Sequence, residues 1–391
     1  MPDLVESAEP GFVRLSTIED TLGVVAGRDD AGPLPWAEPE PRAVLERVVA
    51  EHLAAGPAVV LFSGGRDSSA LLAVAVSVAR AQGMDEPIAV SVRHPEVPES
   101  DETDWQRLVV DHLDVHHEVI ELHGEQSLLS ETAQRAIRRR GVVWPTALQL
   151  REPVYKALDA AVLLTGEGGD HAFLPHRVTS LRNVLLNRGR PSRRLLRSAA
   201  WSVLPYAVQA RRPGLPREDQ SWLRAPYGRR RLQLMNTGTH ERWRWDQATW
   251  RVFEPRAVSV VLANHEAGVR EFGMAPATPF ADPRFLAALA RWGGRWGPAG
   301  RTDVMRRLFH DLLPDAVLAR TSKAAFNGAR WGGREEEFAR SWDGTGVDPD
   351  VVDVEALRAA WLNPVLRSGT DHHLQTAWAA SERLSTPLVD A

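Results

Sequence analysis

The chain has 391 residues, 43% hydrophobic and 25% charged, so it is long enough for about two to three domains and is no disordered or collagen-like polymer. Lys plus Arg number 47 and Asp plus Glu 51, a net charge of −4, so nothing general points to nucleic acid or an anionic membrane as a partner. The absence of cysteine excludes disulfides, thiolate metal sites and thiol nucleophiles. No basic and then apolar leader is present, and no run of about 20 apolar residues, so a soluble cytoplasmic protein is expected.

Residues 1–40 mix Pro, Gly and acidic residues without a sustained period, and they read as an N-terminal arm or linker. From Arg42 to Leu53 the positions Val44, Leu45, Val48, Val49 and Leu53 recur at helical spacing, and Gly56-Pro57 stops the pattern. Ala58 to Phe62 is then a short, continuously apolar run, as expected of a strand buried on both faces of a parallel sheet. Further strands are expected at Ile88 to Val92, Glu118 to Leu122 and Ala161 to Thr165. Helical patterns lie between them, at Ser69 to Arg80, Thr103 to Leu113 and Arg151 to Leu158. This alternation predicts a doubly wound α/β core over residues 41–182, with its ligand beyond the carboxyl ends of the strands. Residues 183–391 read as mostly helical, with breaks at Pro276, Pro279, Gly293-Gly294 and Pro314. Arg177 to Arg231 holds fourteen Arg and no Lys, which reads either as a solvated helical face or as a basic wall toward a substrate. Most of the 14 Trp are expected to pack in helical cores or frame a pocket.

The first strand runs straight into Ser63-Gly64-Gly65-Arg66-Asp67-Ser68-Ser69, and a helix follows at once. Two glycines let the backbone turn sharply and bring its N–H groups close to a phosphate. Ser63 and Ser68 add hydroxyls, and the helix N-terminus adds positive dipole. Asp67 would repel a phosphate unless a cation intervened, which points to Mg²⁺. A plain glycine turn before a helix is the bland alternative.

The loop resembles the SGGxDS pattern of the PP-loop ATP pyrophosphatases and lacks the GxxxxGK[ST] arrangement of Walker-type NTPases. Leu163 to Asp170, with Thr165-Gly166-Glu167-Gly168-Gly169-Asp170 at its end, resembles the SGEGxDE segment of asparagine synthetases, with Thr165 for Ser and His171 for the terminal Glu. Glu99-Ser100-Asp101-Glu102 resembles that family's acidic segment, and Thr278 to Asp282 its PFLD. Leu312-Leu313-Pro314 through Lys323-Ala324-Ala325-Phe326 resembles its LP…KxxF. From about Pro41 to the C-terminus the chain therefore resembles the synthetase domain of the asparagine synthetase family. The Arg-rich segment and the C-terminal patterns resemble homologues from actinobacterial peptide clusters, lasso-peptide cyclases among them. The glutaminase half of such enzymes uses a cysteine, so internal glutamine hydrolysis is not expected here.

The resemblance implies an AMP-forming amide ligase. A carboxylate attacks the α-phosphate of ATP, pyrophosphate leaves, and an amine captures the acyl adenylate. Leu61, Ser63, Gly64, Gly65, Asp67, Ser68, Val92 and Gly166 are then expected to bind nucleotide, and Asp67 and Asp170 to hold Mg²⁺. Glu167 is the expected general base, or else a residue that only orders its loop. The family places a lysine near the α-phosphate, at a position that falls on Thr302 here, so Arg301 or Lys323 is expected to supply that charge. The implied partners are a carboxylate substrate, a peptide or a small molecule, an amine acceptor, and a partner protein of the same pathway. Three functions stay open: macrolactam or other amide formation on a peptide or secondary metabolite, ammonia-dependent amidation, and a degenerate nucleotide-binding scaffold. His112, His116 and His117 lack regular ligand spacing and read as surface or satisfied histidines.

Overall fold

Ala58–Leu61 forms β1, and having no polar face it takes the centre of a sheet that is covered on both sides. The computed structural model describes residues 11–124, 126–186, 190–204, 220–237, 241–322, 330–364 and 369–384. Five parallel strands stand in the order β3-β2-β1-β4-β5, where β2 is Ile88–Arg93, β3 His117–Glu121, β4 Val162–Thr165 and β5 Ala275–Ala277. Val59 lies opposite Ile88 on one side and Leu163 on the other. The chain steps outward from β1 to β3 and then returns across β1 to β4. The order therefore reverses between β1 and β4, where an open parallel sheet leaves a crevice at its carboxyl edge.

Alternate strand residues feed two cores, as the two-residue side-chain period requires. Val60 and Leu164 face one layer, where they meet helix α2 (Pro41–Leu53), helix α3 (Arg66–Gln82) and the helices Pro283–Gly293 and Arg301–Phe309. Val59 and Leu163 face the other, with Val154, Tyr155, Val269 and Met274. Each of these fully buried aliphatic side chains contributes about 2 kcal/mol of apolar burial. A third core in the helical half gathers Trp222, Trp342, Trp361 and Trp378, whereas Trp36 is 81% exposed.

Three expectations change, and one helix is not anticipated. The α/β layer is not confined to residues 41–182, because β5 comes from residues 275–277. That strand is three residues long and contains Pro276, tolerable only because β5 is an edge strand, and such a segment carries no alternating signal. The stretch read as an arm or linker instead packs on the body over its described part. Helix α1 (Thr17–Leu22) buries Leu22, and the backbone of Val13 pairs with the Asn264 amide. Six residues are too few to print a period. A helix at Glu131–Arg140 also escapes the pattern, its only aliphatic residue beyond alanine being Ile137. Finally, Arg231 in the arginine-rich stretch is buried and donates to the carbonyls of Leu22 and Gly23, so that stretch is not wholly a solvated face.

Candidate active site

The turn after β1 closes on itself through its own serines. Ser63 N donates to Ser68 Oγ at 3.2 Å, the two hydroxyls lie 3.1 Å apart, and Gly65 N donates to Ser63 Oγ at 3.3 Å. Gly64 has φ +77, in the left-handed region that a side chain disfavours, and a Cβ there would press on Trp105 and Gln106 at 3.2 Å. Its carbonyl accepts from Arg320 Nη1 at 2.8 Å. Arg320 also forks onto Glu102, both nearly fully buried, and stacks 4.6 Å from the Trp105 ring. The acidic segment thus contributes one carboxylate, which braces the loop from behind through an arginine that its sequence position did not single out.

The loop after β4 comes down directly on this turn. A Cβ on Gly166 would lie 3.0 Å from the Ser68 backbone nitrogen, and one on Gly169 would lie 2.8 Å from both Cβ and Cγ of Asp67. The two glycines are therefore required by contact with the first loop. Gly168 is needed for conformation as well, with φ +87. This approach brings Asp67 and Asp170 onto a single cation. Arg301 donates to Asp67 Oδ2 at 2.5 Å and to Asp170 Oδ1 at 2.7 Å. Burial pushes the Asp67 carboxyl up, Arg301 pulls it back, and Asp170 adds to the rise. Burial alone would lower the Arg301 guanidinium, but the two carboxylates raise it, so the arginine stays charged. Asp67 Oδ1 is buried without a hydrogen-bond partner.

Both loops open on one cavity of about 590 Å³, within the size range of small-molecule sites. Leu61, Ser63, Gly65, Asp67, Ser68, Val92, Gly166, Glu167, Asp170 and Arg301 all line it, while Gly64 stands behind it. Lys323 lies outside the described residues. Thr302 is reached by Arg66, whose Nη1 donates to its hydroxyl at 3.3 Å. Glu167 stands near buried His265, which burial holds below its ordinary pKa and whose ring nitrogens face Thr165 at 3.5 Å and Tyr155 at 3.4 Å. Arg66, His94, Arg151, His265 and Arg330 also line the cavity, and the pattern of the sequence singled out none of them. His112, His116 and His117 each have a partner away from the cavity.

A glycine turn at the head of a helix, at the switch point of a doubly wound parallel sheet, with two carboxylates beside it, defines an α/β nucleotide-binding enzyme. The family model for asparagine synthase matches residues 40–385, and the chain belongs to that family. Its class of activity is that of an ATP-using ligase. No curated protein matches the chain. No helix among the described residues is long and apolar enough to cross a membrane.

Proposed function

We propose that the protein adenylates a carboxylate with ATP, releasing pyrophosphate, and passes the acyl group to an amine. The observation that carries this reading is the convergence of Asp67 and Asp170, from two strand ends, on the one cation Arg301 beside the glycine turn. Backbone N–H groups of the turn, with Ser63 and Ser68, are positioned to bind phosphate oxygens, and Arg66 and Arg301 to offset charge as pyrophosphate departs. Arg320 and Glu102 hold the turn in shape from the far side.

The carboxylates suit Mg²⁺, since both are hard oxygen donors and Asp67 Oδ1 has no other partner. Asp67 and Asp170 would hold it, and bound there it would neutralise the leaving pyrophosphate. Glu167 is the proposed proton acceptor for the attacking amine, at the mouth of β4 and apart from the phosphate turn. Among amines, we favour one within a peptide or secondary-metabolite substrate, with lasso-cyclase-like macrolactam closure first, because the arginine-rich and C-terminal segments resemble that group. Ammonia is the competing acceptor. The purified protein, given ATP, Mg²⁺, carboxylates of its pathway and an amine acceptor, should release pyrophosphate and AMP in equal amounts. Release of ADP and phosphate, or no release with any of them, defeats the reading. The second of these results favours a nucleotide-binding scaffold.

A further inference from the structure

The helix Arg177–Leu186 opens the arginine-rich stretch, and both of its arginines donate to main-chain carbonyls. Arg177 Nε donates to the Ser202 carbonyl at 2.5 Å, and Arg182 Nε to the Gly297 carbonyl at 2.8 Å. The next residue, Asn183, donates from Nδ2 to the Ala299 carbonyl at 2.7 Å. Arg182 Nη1 also donates to Asn183 Oδ1 at 3.0 Å, which leaves the Asn183 amide nitrogen turned to Ala299. Two consecutive side chains of one helix thus grip alternate carbonyls of Gly297-Pro298-Ala299-Gly300.

That segment ends on Arg301. Gly300 precedes the first residue of the helix Arg301–Phe309, and this residue is the cation that spans Asp67 and Asp170. Two glycines, a proline and an alanine bring no side-chain hydrogen bond of their own, so the segment takes the shape that its carbonyl partners impose. At its start Gly297 has φ +65 and lies so close to buried Trp245 that a Cβ would meet Cγ of that ring at 2.1 Å. At its end the Ala299 N–H donates to Asp303 Oδ2 at 2.8 Å. The other side of the ion pair is tied to the same helix. Asp170 lies in the turn Gly169–Ala172, and the chain runs from there through Phe173 and His176, both buried, directly into Arg177. Phe173 packs edge-on against Phe309 at 6.1 Å, and His176 against Trp245 at 5.6 Å. The helix Arg177–Leu186 therefore carries Asp170 through the chain and Arg301 through hydrogen bonds, and so brackets the pair from both sides.

We propose that Arg182 and Asn183 are positioning residues for the reaction: by holding the Gly297 and Ala299 carbonyls they fix the place from which Arg301 spans Asp67 and Asp170. Neither lines the cavity, so they act through Arg301 and not on substrate. A guanidinium that opposes charge growing on departing pyrophosphate is effective only if it is already in place, because moving it into position during the step would cancel its contribution. A glycine-rich segment left to itself provides no such fixity. The catalytic part of this inference rests on the ligase reading above, whereas the bracket around Arg301 does not.

The test uses the full chain, with thermal unfolding to show that each variant folds. Asn183→Ala and Arg182→Ala should each lower kcat for pyrophosphate release about tenfold or more, as for a small displacement of a reacting group, and change KM for ATP less than about twofold. Arg182→Lys keeps a donor for the Gly297 carbonyl and should recover part of the loss. In an Arg301→Gln background Asn183→Ala should cost less than about a further twofold, because the group through which it acts is gone. Ser180→Ala is the control on the same helix: it removes only a hydroxyl contact with Ser198 at 2.8 Å, and should keep wild-type kcat. A second readout needs no turnover. Arg301 Nε is buried without a hydrogen-bond partner, so its N–H resonance, identified by its loss in Arg301→Gln, reports how firmly the guanidinium is held. The resonance should shift or broaden in Asn183→Ala and Arg182→Ala, and stay in place in Ser180→Ala. Wild-type kcat in both alanine variants, or full additivity of Asn183→Ala with Arg301→Gln, overturns the positioning role. An unmoved Arg301 resonance in both overturns the bracket itself, whatever the activity. If the resonance moves but the wild type never releases pyrophosphate, the ligase reading fails alone; if pyrophosphate is released and the resonance is unmoved, the bracket fails alone.

Discussion

Arg66 Nη1 donates to Thr302 Oγ1 at 3.3 Å, joining the first residue of α3 to the helix Arg301–Phe309. Thr302 occupies the position where the family resemblance calls for a lysine. The guanidinium that reaches it comes out of the glycine turn itself. A positive group near the α-phosphate can therefore be delivered from the turn as well as from the helix. Its nearest carboxylates, Asp67 and Asp170, are already engaged by Arg301.

Arg66→Ala should lower pyrophosphate release by about two orders of magnitude, the size of one electrostatic stabiliser in a water-excluded site. Adding Thr302→Lys to that variant should recover at least about tenfold, because an ammonium then rises from the helix side to the same place. Steady-state pyrophosphate assays check both. Wild-type turnover in Arg66→Ala would transfer the role to Arg301 or to Lys323, for which Lys323→Ala is the companion variant.

Asp170→Asn should abolish Mg²⁺-dependent pyrophosphate release and leave the unfolding temperature close to wild type, since this side chain is 53% exposed. Asp67→Asn should abolish it too, but with a change in stability, because it strips the half-buried Arg301 of a partner. A magnesium titration of activity in each variant is the measurement. Full turnover at ordinary magnesium in either one removes that residue from the metal site.

Gly169→Ala tests the contact between the two loops. The added methyl would lie 2.8 Å from two Asp67 side-chain carbons, so either Asp67 or the turn Gly169–Ala172 must move. Turnover should fall at least about tenfold, as for other small displacements of reacting groups, while circular dichroism stays unchanged. An active variant would show that Asp67 need not hold its place.

Glu167→Gln should separate the half-reactions. Adenylation needs no base, so pyrophosphate should still appear, whereas amide product should fall by about a hundredfold or more. Product analysis by mass spectrometry reads this directly. A normal amide yield would leave Glu167 as a loop-ordering residue only.

Acid should loosen the contact between α1 and the helix Asp371–Ser381. His373 is buried there, its Nε2 donating to the Thr21 carbonyl at 3.0 Å, and burial holds its pKa down to about 4 from 6.5. A histidine with a depressed folded pKa contributes stability that is complete above 6.5 and is lost as pH falls toward 4. The amount is of order 3 kcal/mol. Thermal unfolding at pH 7 and pH 5 should show a larger drop for the wild type than for His373→Gln. Equal drops would mean that His373 does not carry the acid sensitivity.

The sequence alone determined the parts of this protein that are local in the chain. The apolar run of β1, the glycine turn with Ser63, Asp67 and Ser68, and the second turn with Glu167 and Asp170 each lie within a few consecutive residues, so composition and spacing express them directly. The central strands follow for the same reason, because burial on both faces leaves no polar residue in the run. Tertiary structure decided what those parts meet. Arg301 reaches Asp67 across 234 residues of chain, and Arg320 reaches Glu102 across 218, distances over which no periodicity or motif carries information. The edge strand Ala275–Ala277 exists only because β4 offers it a row of unpaired backbone groups, and Asn183 meets the Ala299 carbonyl only when the two segments pack side by side. Side-chain convergence of this kind is set by the packing of layers, which is a property of the folded whole and of no segment within it.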